Sequence, residues 1–378
     1  MKTLTAIATL AALGLAGAAQ ADIRIGATVS ETGPAAFLGD PEAKTLRMMV
    51  EKLNAAGGIN GEQVALTLYD DGGDPNKART FATRLIEDDE VVAIIGGTTT
   101  GTTMSIIPAA EDAEIPFISL AGAIEIIDPV KEWVFKTPHT DRMACQKIFE
   151  DMKAKGITKV GLISGTDGFG ASMRKQCLEV VGEYGIEVVA DESYGPTDAD
   201  MTPQLTNIKN TEGVQAVLNP GFGQGPSVVT RNYQQLAVGL PLYQSHGVAS
   251  KGFIDLAGPE AAEGVRLPGT ALLVGDLLAD DDVQKPVVAA YVAEYTAAYG
   301  EAPSTFGGYA HDAFAILVDA LTRAGSAEPE AIRDAIEGTA GLAGTTGVVT
   351  MTPDDHLGFD LSAFRMLEIK DGNWTLVQ

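Results

Sequence analysis

Apolar residues follow two alternating patterns along this chain. Residues 23–29 form a run rich in β-branched side chains. An apolar stripe at positions i, i+3, i+4 and i+7 comes next, formed by Leu46, Met49, Val50 and Leu53. That spacing places four side chains on one face of a helix, which can then cover a sheet. Because short apolar strands alternate with such helices, we predict parallel sheets with helices on both faces.

The alternation occurs in two sets, and no Pro- or Ser-rich linker separates them. The first set of predicted strands lies at residues 23–29, 64–70, 91–95, 117–119 and 134–137. The second set lies at residues 160–164, 186–193, 214–219 and 241–245. After residue 270 the pattern is mainly helical, and a hairpin turned by Asp371-Gly372 closes the chain. These features predict an α/β fold of two lobes joined by several short crossovers.

The N-terminal segment has the pattern of a cleaved export signal. Lys2 supplies a positive charge, residues 4–18 form a short apolar run, and Ala19-Gln20-Ala21 matches a cleavage site. The run is too short to span a bilayer comfortably, and no later segment is apolar enough to do so. We therefore expect residues 1–21 to be removed and the mature chain to be secreted into a bacterial periplasm, without insertion into the membrane.

Length and charge limit the possible roles. The 378 residues exceed what a single hydrophobic core usually supports. Asp and Glu total 51 against 26 for Lys and Arg, which gives a formal charge of −25. Because such a surface repels phosphate backbones and anionic headgroups, the charge argues against nucleic-acid and membrane-surface roles.

The chain contains two cysteines, Cys145 and Cys177. Both lie on predicted helices that flank one short strand, and an oxidising compartment allows two cysteines to pair. We expect a disulfide between them. Two buried free thiols are the alternative.

Loops that follow predicted strands carry small and polar residues, at the edge where parallel sheets bind ligands. The loop at residues 96–103 reads Gly-Gly-Thr-Thr-Thr-Gly-Thr-Thr and opens a helix, so its N–H groups and hydroxyls can attract an anion. It lacks the Gly-Lys-Ser/Thr ending of a P-loop and the spacing of a dinucleotide fingerprint. The other such loops lie at residues 119–123, 166–170, 219–223 and 244–247.

Motifs for catalysis or metal binding are absent from the sequence. None of the four histidines (His139, His246, His311 and His356) pairs with another His or Cys at metal-ligand spacing. There is no G-x-S-x-G or H-E-x-x-H motif, and the acidic cluster at residues 70–74 lacks the spacing of a calcium loop. We therefore expect a protein without enzymatic activity and without a cofactor or metal.

Several segments occur in a characteristic order, at residues 25–34, 54–61, 70–75, 94–96 and 115–119. Taken together they resemble the leucine/isoleucine/valine-binding family of type I periplasmic solute-binding proteins, which serve ABC importers. The resemblance covers essentially the whole mature chain. It implies two Rossmann-like lobes with three hinge crossovers, a small-molecule ligand, ABC permease subunits as partners, and a monomer.

The resemblance also implies how the lobes divide the chain. Residues 23–140 and 270–350 would form the first lobe, and residues 141–269 and 351–378 the second.

The resemblance further implies a ligand site between the lobes. In the family a hydroxyl residue after the third strand holds the ligand's carboxylate, and Thr100 matches that position. Thr99 precedes it, and the N–H groups of Gly101 and Thr102 would assist it. Ala121 matches a residue whose backbone carbonyl binds the ligand.

Aromatic residues match the family's pocket positions as well. Phe169 and Phe222 match second-lobe aromatics that close over the ligand, and Phe306 matches another pocket aromatic. Leu38, beside Phe37, occupies a position where the family often has a tyrosine.

Two positions depart from the amino-acid-binding pattern. Ala123 replaces a threonine that helps to bind the ligand's amino group, and His246 replaces the acidic residue that pairs with an α-ammonium. A buried ammonium without a counter-charge is costly. The segment Ser245-His246-Gly247 also resembles members that take up aromatic carboxylates. We therefore expect the ligand to be an organic acid without an α-amino group, and an aromatic acid best fits the phenylalanines.

Three alternatives remain open from the sequence. The chain would bind a branched-chain amino acid or an amide if another acid replaced the missing one. Its closed form would act in sensing if it docked on a membrane receptor rather than a permease. An enzyme would need a nucleophile or metal site in the cleft, and the sequence offers neither.

Overall fold

The first sheet is built by the N-terminal part of the chain. The computed structural model describes residues 22–377, so the predicted export signal at residues 1–21 lies outside the described residues. Five parallel strands are arranged in the order β2-β1-β3-β4-β5. They are β1 (Ile23–Val29), β2 (Val64–Asp70), β3 (Ala93–Gly96), β4 (Phe117–Ser119) and β5 (Val134–Lys136). Helices α1 (Ala36–Ala55), α2 (Pro75–Glu87) and α3 (Thr100–Ala113) connect them.

The second sheet has seven strands in the order β14-β13-β10-β9-β8-β6-β7. Its parallel strands are β6 (Lys159–Gly165), β7 (Glu187–Tyr194), β8 (Ala216–Asn219), β9 (Leu242–Gln244) and β10 (Arg266–Gly269). The helices of this part are α4 (Asp141–Ala154), α5 (Gly168–Val180), α6 (Thr202–Asn210), α7 (Gly225–Gln235), α8 (Lys251–Ala257) and α9 (Pro259–Ala262). One parallel sheet and one mostly parallel sheet, joined by helices, confirm the predicted α/β fold.

The C-terminal part completes both sheets. Its helices are α10 (Lys285–Tyr299), α11 (Thr305–Ala324) and α12 (Pro329–Glu337). A two-stranded sheet follows, formed by β11 (Leu342–Ala343) and β12 (Val348–Val349). The hairpin of β13 (Arg365–Lys370) and β14 (Asn373–Leu376) then joins the second sheet antiparallel to β10. Its turn is the predicted one, since Asp371 and Gly372 both have positive φ, as such a two-residue hairpin turn requires.

Strand β10 was not predicted from the sequence. It begins with Arg266 and contains Pro268, which are unusual in a buried strand. In the structure the guanidinium of Arg266 forms ion pairs with Asp151 and Glu368, so neighbouring elements compensate its charge. A local pattern cannot reveal this, because both carboxylates are remote in sequence.

Two boundaries of the lobes become visible in the packing. Helix α10 contacts both parts of the molecule, because Tyr291 lies in the core of the second lobe while its hydroxyl bonds Thr45 of α1 at 2.7 Å. Met351 and Leu357, assigned from the sequence to the second lobe, pack instead with the cores of the first sheet. We therefore place the third crossover between the two lobes after Leu357 and before β13. The remaining division of the chain stays a proposal.

A disulfide joins Cys145 of α4 to Cys177 of α5. Both side chains are fully buried, in a cluster that includes Ile148 and Met173. The bond therefore ties two neighbouring helices on one face of the second sheet.

Removing this bond is expected to destabilise the second lobe. The bond closes a loop with a sequence separation of 32, for which the chain-entropy model gives about 3–4 kcal/mol. The double substitution Cys145→Ala and Cys177→Ala should lower the free energy of unfolding by about that amount, measured by urea denaturation. Addition of a reductant should lower the wild-type value similarly and leave the variant unchanged. Equal stability of the two proteins would contradict this prediction.

Candidate ligand-binding site

A cavity lies between the two sheets, at the carboxyl ends of their strands. The empty volume of this cavity is about 400 Å³, including the part open to solvent. The centre of a water molecule fits within about 40 Å³ of that volume. Its lining is mostly apolar and contains no aspartate or glutamate. The lining residues are Leu38, Thr98, Thr99, Thr100, Leu120, Ala121, Gly122, Pro138, Phe169, Phe222, His246, Gly247, Phe306 and Tyr309.

The first turn of α3 forms one wall. The Thr99 hydroxyl accepts a hydrogen bond from the Thr102 N–H at 3.2 Å, and the Thr102 hydroxyl accepts one from the Thr99 N–H at 3.0 Å. This reciprocal cap occupies both hydroxyls. The Thr100 hydroxyl is also buried, and it has no partner among the described residues. Thr100 is therefore the hydroxyl of this turn that is free to bind a ligand.

The loop after β4 forms the floor. Ala121 lies in the lining, and its N–H donates to the Ser119 hydroxyl at 3.1 Å. Gly122 contacts the second lobe so closely that an added Cβ would lie 2.8 Å from Phe169 Cε2 and 3.1 Å from His246 Nε2. Gly122 therefore allows the lobes to close.

The second lobe contributes three rings from three loops that follow strands. Phe169 is the second residue of α5, Phe222 follows β8, and His246 follows β9. The Phe169 ring is nearly perpendicular to those of Phe222 and His246, with centroid distances of 6.2 and 5.4 Å. The sequence of each loop thus places one ring at the same edge of the sheet.

The first lobe adds aromatic residues from two helices. Phe306 and Tyr309 at the start of α11 line the cavity. Phe37 does not line it and is 37% exposed. Its ring contacts Phe222 and Phe306 at centroid distances of 6.4 and 5.9 Å, so it covers the aromatic cluster from the solvent side.

The structure brings most residues of the predicted site together. Those in the lining are Thr99, Thr100, Ala121, Phe169, Phe222, His246 and Phe306. Those outside it are Phe37, Gly101, Thr102 and Ala123. Ala123 is fully buried, and its carbonyl accepts a hydrogen bond from within the protein. The part that each residue takes in ligand binding stays a prediction.

His246 is a neutral group in this setting. Burial, together with the positive charge of Lys136, lowers its pKa to about 3. The imidazole is therefore uncharged at neutral pH and can donate or accept a hydrogen bond without contributing charge. Its Nδ1 is buried and has no partner among the described residues.

Lys136 was missed by the sequence analysis. It ends β5 and is fully buried, with Nζ donating to the Gly122 carbonyl at 2.9 Å and the Ala123 carbonyl at 3.2 Å. Burial lowers its pKa to about 7. The sequence did contain one indication of a buried lysine, because Lys136 directly follows two apolar residues in a short strand.

Glu42 was also missed. Its buried carboxyl accepts a hydrogen bond from the Thr98 hydroxyl at 2.5 Å, and that hydroxyl accepts one from the Ser30 N–H at 2.9 Å. Burial raises the pKa of Glu42 well above its ordinary value, which favours the neutral acid. The carboxyl lies behind Thr98 and outside the lining.

The cavity has the features of a ligand-binding site. Across residues 22–377 no three or more His, Cys, Asp or Glu side chains are grouped so as to hold a metal ion. The same stretch contains no helix both long and apolar enough to cross a membrane. Two α/β lobes that close on an apolar cavity, with one free hydroxyl at a helix N-terminus, define a two-lobed binding protein.

Comparison with known proteins agrees with this class. The sequence model of a family described as "Periplasmic binding protein" matches residues 22–373, and the chain belongs to that family. The structure of an extracellular ligand-binding receptor from Rhodopseudomonas palustris HaA2 is similar, with a TM-score of 0.88 and 31% identity. That match covers 95% of this chain and 100% of the other.

The names of two relatives refer to amino-acid binding. Leu/Ile/Val-binding protein homolog 7 of Brucella melitensis biotype 1 is 32% identical over 60% of this chain, and the match spans only 59% of that protein. The leucine-, isoleucine-, valine-, threonine- and alanine-binding protein of Pseudomonas aeruginosa is 27% identical over 93% of this chain and 90% of its own length. These relatives are named as binding proteins rather than as enzymes.

Substitution of Gly122 is expected to hold the lobes apart. In Gly122→Ala the new methyl group would overlap Phe169, so closure would require the ring to move. Small-angle X-ray scattering should therefore give a larger radius of gyration than for the wild type. Gly182→Ala is the control, since an added Cβ there has no atom within 4 Å. Identical scattering from all three proteins would show that Gly122 does not limit closure.

Proposed function

We propose that this protein is the periplasmic substrate-binding component of an ABC uptake system and captures a small organic acid, most simply an aromatic one. The observation that carries the proposal is the unpartnered Thr100 hydroxyl, in a cavity whose lining includes no carboxylate. Lobe closure around the ligand would create the form that the permease recognises. A membrane receptor is the alternative partner.

The first turn of α3 suits the negative end of such a ligand. N–H groups of a first helical turn lack intrahelical acceptors, and the helix dipole favours an anion there. Thr100 and Gly101 occupy the first two positions of α3. A carboxylate beside them would receive a charge-assisted hydrogen bond from the Thr100 hydroxyl.

The rings suit a flat, apolar body. Phe169, Phe222 and Phe306 line the cavity together, and aromatic side chains favour edge-to-face and offset contacts with another ring. The narrow interior favours a small planar molecule over a sugar chain or a peptide. His246 would hydrogen-bond a hydroxyl or keto oxygen on the ligand.

A ligand with an α-ammonium group fits less well. His246 is neutral and the lining offers no carboxylate, so a buried ammonium would lack a counter-charge.

Isothermal titration tests the ligand class directly. Benzoate- or cinnamate-type acids should bind, and leucine should give no heat at comparable concentrations. Thr100→Val should weaken binding of the acid by about tenfold to a hundredfold, since a hydrogen bond to a charged group contributes about 1.5–3 kcal/mol. Ser105→Ala is the control, because that hydroxyl bonds the Thr102 carbonyl and does not line the cavity. Tight leucine binding with no response to the acids would refute the proposal.

Glu42 supports a second candidate, a branched-chain amino-acid or amide binder. If a ligand ammonium donated a hydrogen bond to the Thr98 hydroxyl, only that hydroxyl would separate it from the Glu42 carboxyl. Two relatives are named for binding leucine, isoleucine and valine. In this reading Glu42 would ionise when the ligand binds.

Glu42→Gln separates the two candidates. Because glutamine keeps the shape and loses the charge, affinity for an organic acid should change by less than about twofold. An amino-acid binder should instead lose more than about tenfold, as a buried charge loses its partner. Asp71→Asn is the control, since Asp71 is another buried carboxyl but bonds Thr28 and Ser30. Loss of acid affinity in the Glu42 variant alone would contradict the organic-acid proposal.

A further inference from the structure

Lys136 is a buried cation with no ion-pair partner in the described chain. Both hydrogen bonds of its Nζ go to backbone carbonyls, those of Gly122 and Ala123. Asp141 acts on it through charge alone, because the Asp141 carboxylate is bonded by the Ile124 N–H at 3.0 Å, the Arg142 N–H at 2.9 Å and the Ser172 hydroxyl. The protonated form of Lys136 therefore lacks a full counter-charge.

Lys136 also lies directly behind the cavity. Gly122, which it bonds, belongs to the lining and faces His246 Nε2. The positive charge of Lys136 also acts on the His246 ring. Only the backbone of Gly122 therefore separates Lys136 from a charge that enters the cavity. Little water lies there to screen the electrostatic interaction between them.

We propose that Lys136 is the counter-charge for the bound organic acid and takes up a proton when the acid enters the cavity. This inference rests on the proposed function. The proton comes from the solvent and adds to the neutral amine of Lys136, while the ligand stays a carboxylate and no other bond forms or breaks. Lys136 is thus a residue that determines specificity for anions without touching the ligand.

The sign of the pH dependence follows from the charges. In the free protein the pKa of Lys136 is about 7, because burial disfavours the ammonium. A nearby carboxylate favours the ammonium, so binding raises the pKa. The protonated protein then binds the acid more tightly, and affinity falls as pH rises through 7.

Three other titratable groups face Lys136. They are His139 on the crossover before α4, His246 after β9, and Asp141 at the start of α4. Burial lowers the pKa of both histidines and so favours their neutral forms. Burial raises the pKa of Asp141, and its titration would change affinity in the same direction as that of Lys136. A lysine variant is therefore needed to separate the two.

Titration calorimetry with benzoate, in two buffers of different ionisation enthalpy, measures the proton uptake. We expect uptake of about half a proton at pH 7 and almost none at pH 5.5, where Lys136 is already protonated. Affinity of the wild type should fall about tenfold between pH 6 and pH 8.5. Lys136→Met should bind benzoate weakly at both pH 6 and pH 8.5, and its affinity should differ by less than about twofold between these two pH values.

Lys131→Met is the matched control. Lys131 also donates to backbone carbonyls, those of Glu125, Ile126 and Pro129, but none of these residues lines the cavity, whereas Gly122 does. It should keep the wild-type pH profile and proton uptake. If Lys136→Met fails to fold, Lys136→Arg is the second variant: its guanidinium stays charged throughout this pH range, so the acid should bind without proton uptake, and uptake that persists would overturn the role of Lys136.

The outcomes separate this inference from the function on which it rests. Benzoate binding without proton uptake, or a pH profile that persists in Lys136→Met, overturns the role of Lys136 and leaves the organic-acid function intact. Absence of binding by any organic acid overturns both.

Discussion

The charge balance inside a closed cavity is the constraint on which the rest of the site depends. Once two lobes exclude water, every charge on the ligand must be compensated by groups that are already in place. Here the buried ionisable groups around the site include a lysine behind the floor and two acids, Glu42 and Asp141, that are bonded within the protein. The aromatic walls supply contact area and no charge, so the few polar groups decide which ligands can be held.

The same constraint gives Gly122, in the floor of the cavity, several contacts at once. Gly122 accepts a hydrogen bond from Lys136 through its carbonyl, receives one there from the Asp141 N–H, and also contacts rings of the second lobe. One residue without a side chain thus connects the buried cation, the start of α4 and the aromatic cluster. The lobes approach each other here by means of backbone groups, which cannot change rotamer.

Local patterns made much of the fold predictable. The Asp74 cap and Pro75 start of α2, the Asp371-Gly372 hairpin and the loops that follow strands all depend on neighbours in sequence. Glu42, Lys136 and strand β10 could not be predicted in this way. A glutamate on a helix and a lysine at a strand end normally face water, and only the packing of remote elements buries them. The sequence analysis named four of the five aromatic rings that line the cavity, but it missed Tyr309 and the ionisable groups behind the lining.

The path of the chain through the two lobes has a consequence for the order of folding. Helix α1 packs against α11, more than 250 residues later, so the first core stays incomplete until most of the polypeptide is available. The strands β1 to β5 and β6 to β10 are each continuous in sequence, but the core of the second sheet also includes Tyr291 of α10 and Leu367 and Trp374 of the final hairpin. A chain that emerges N-terminus first could therefore pair the strands of each sheet early, but it would complete neither hydrophobic core until its C-terminal helices and hairpin were available.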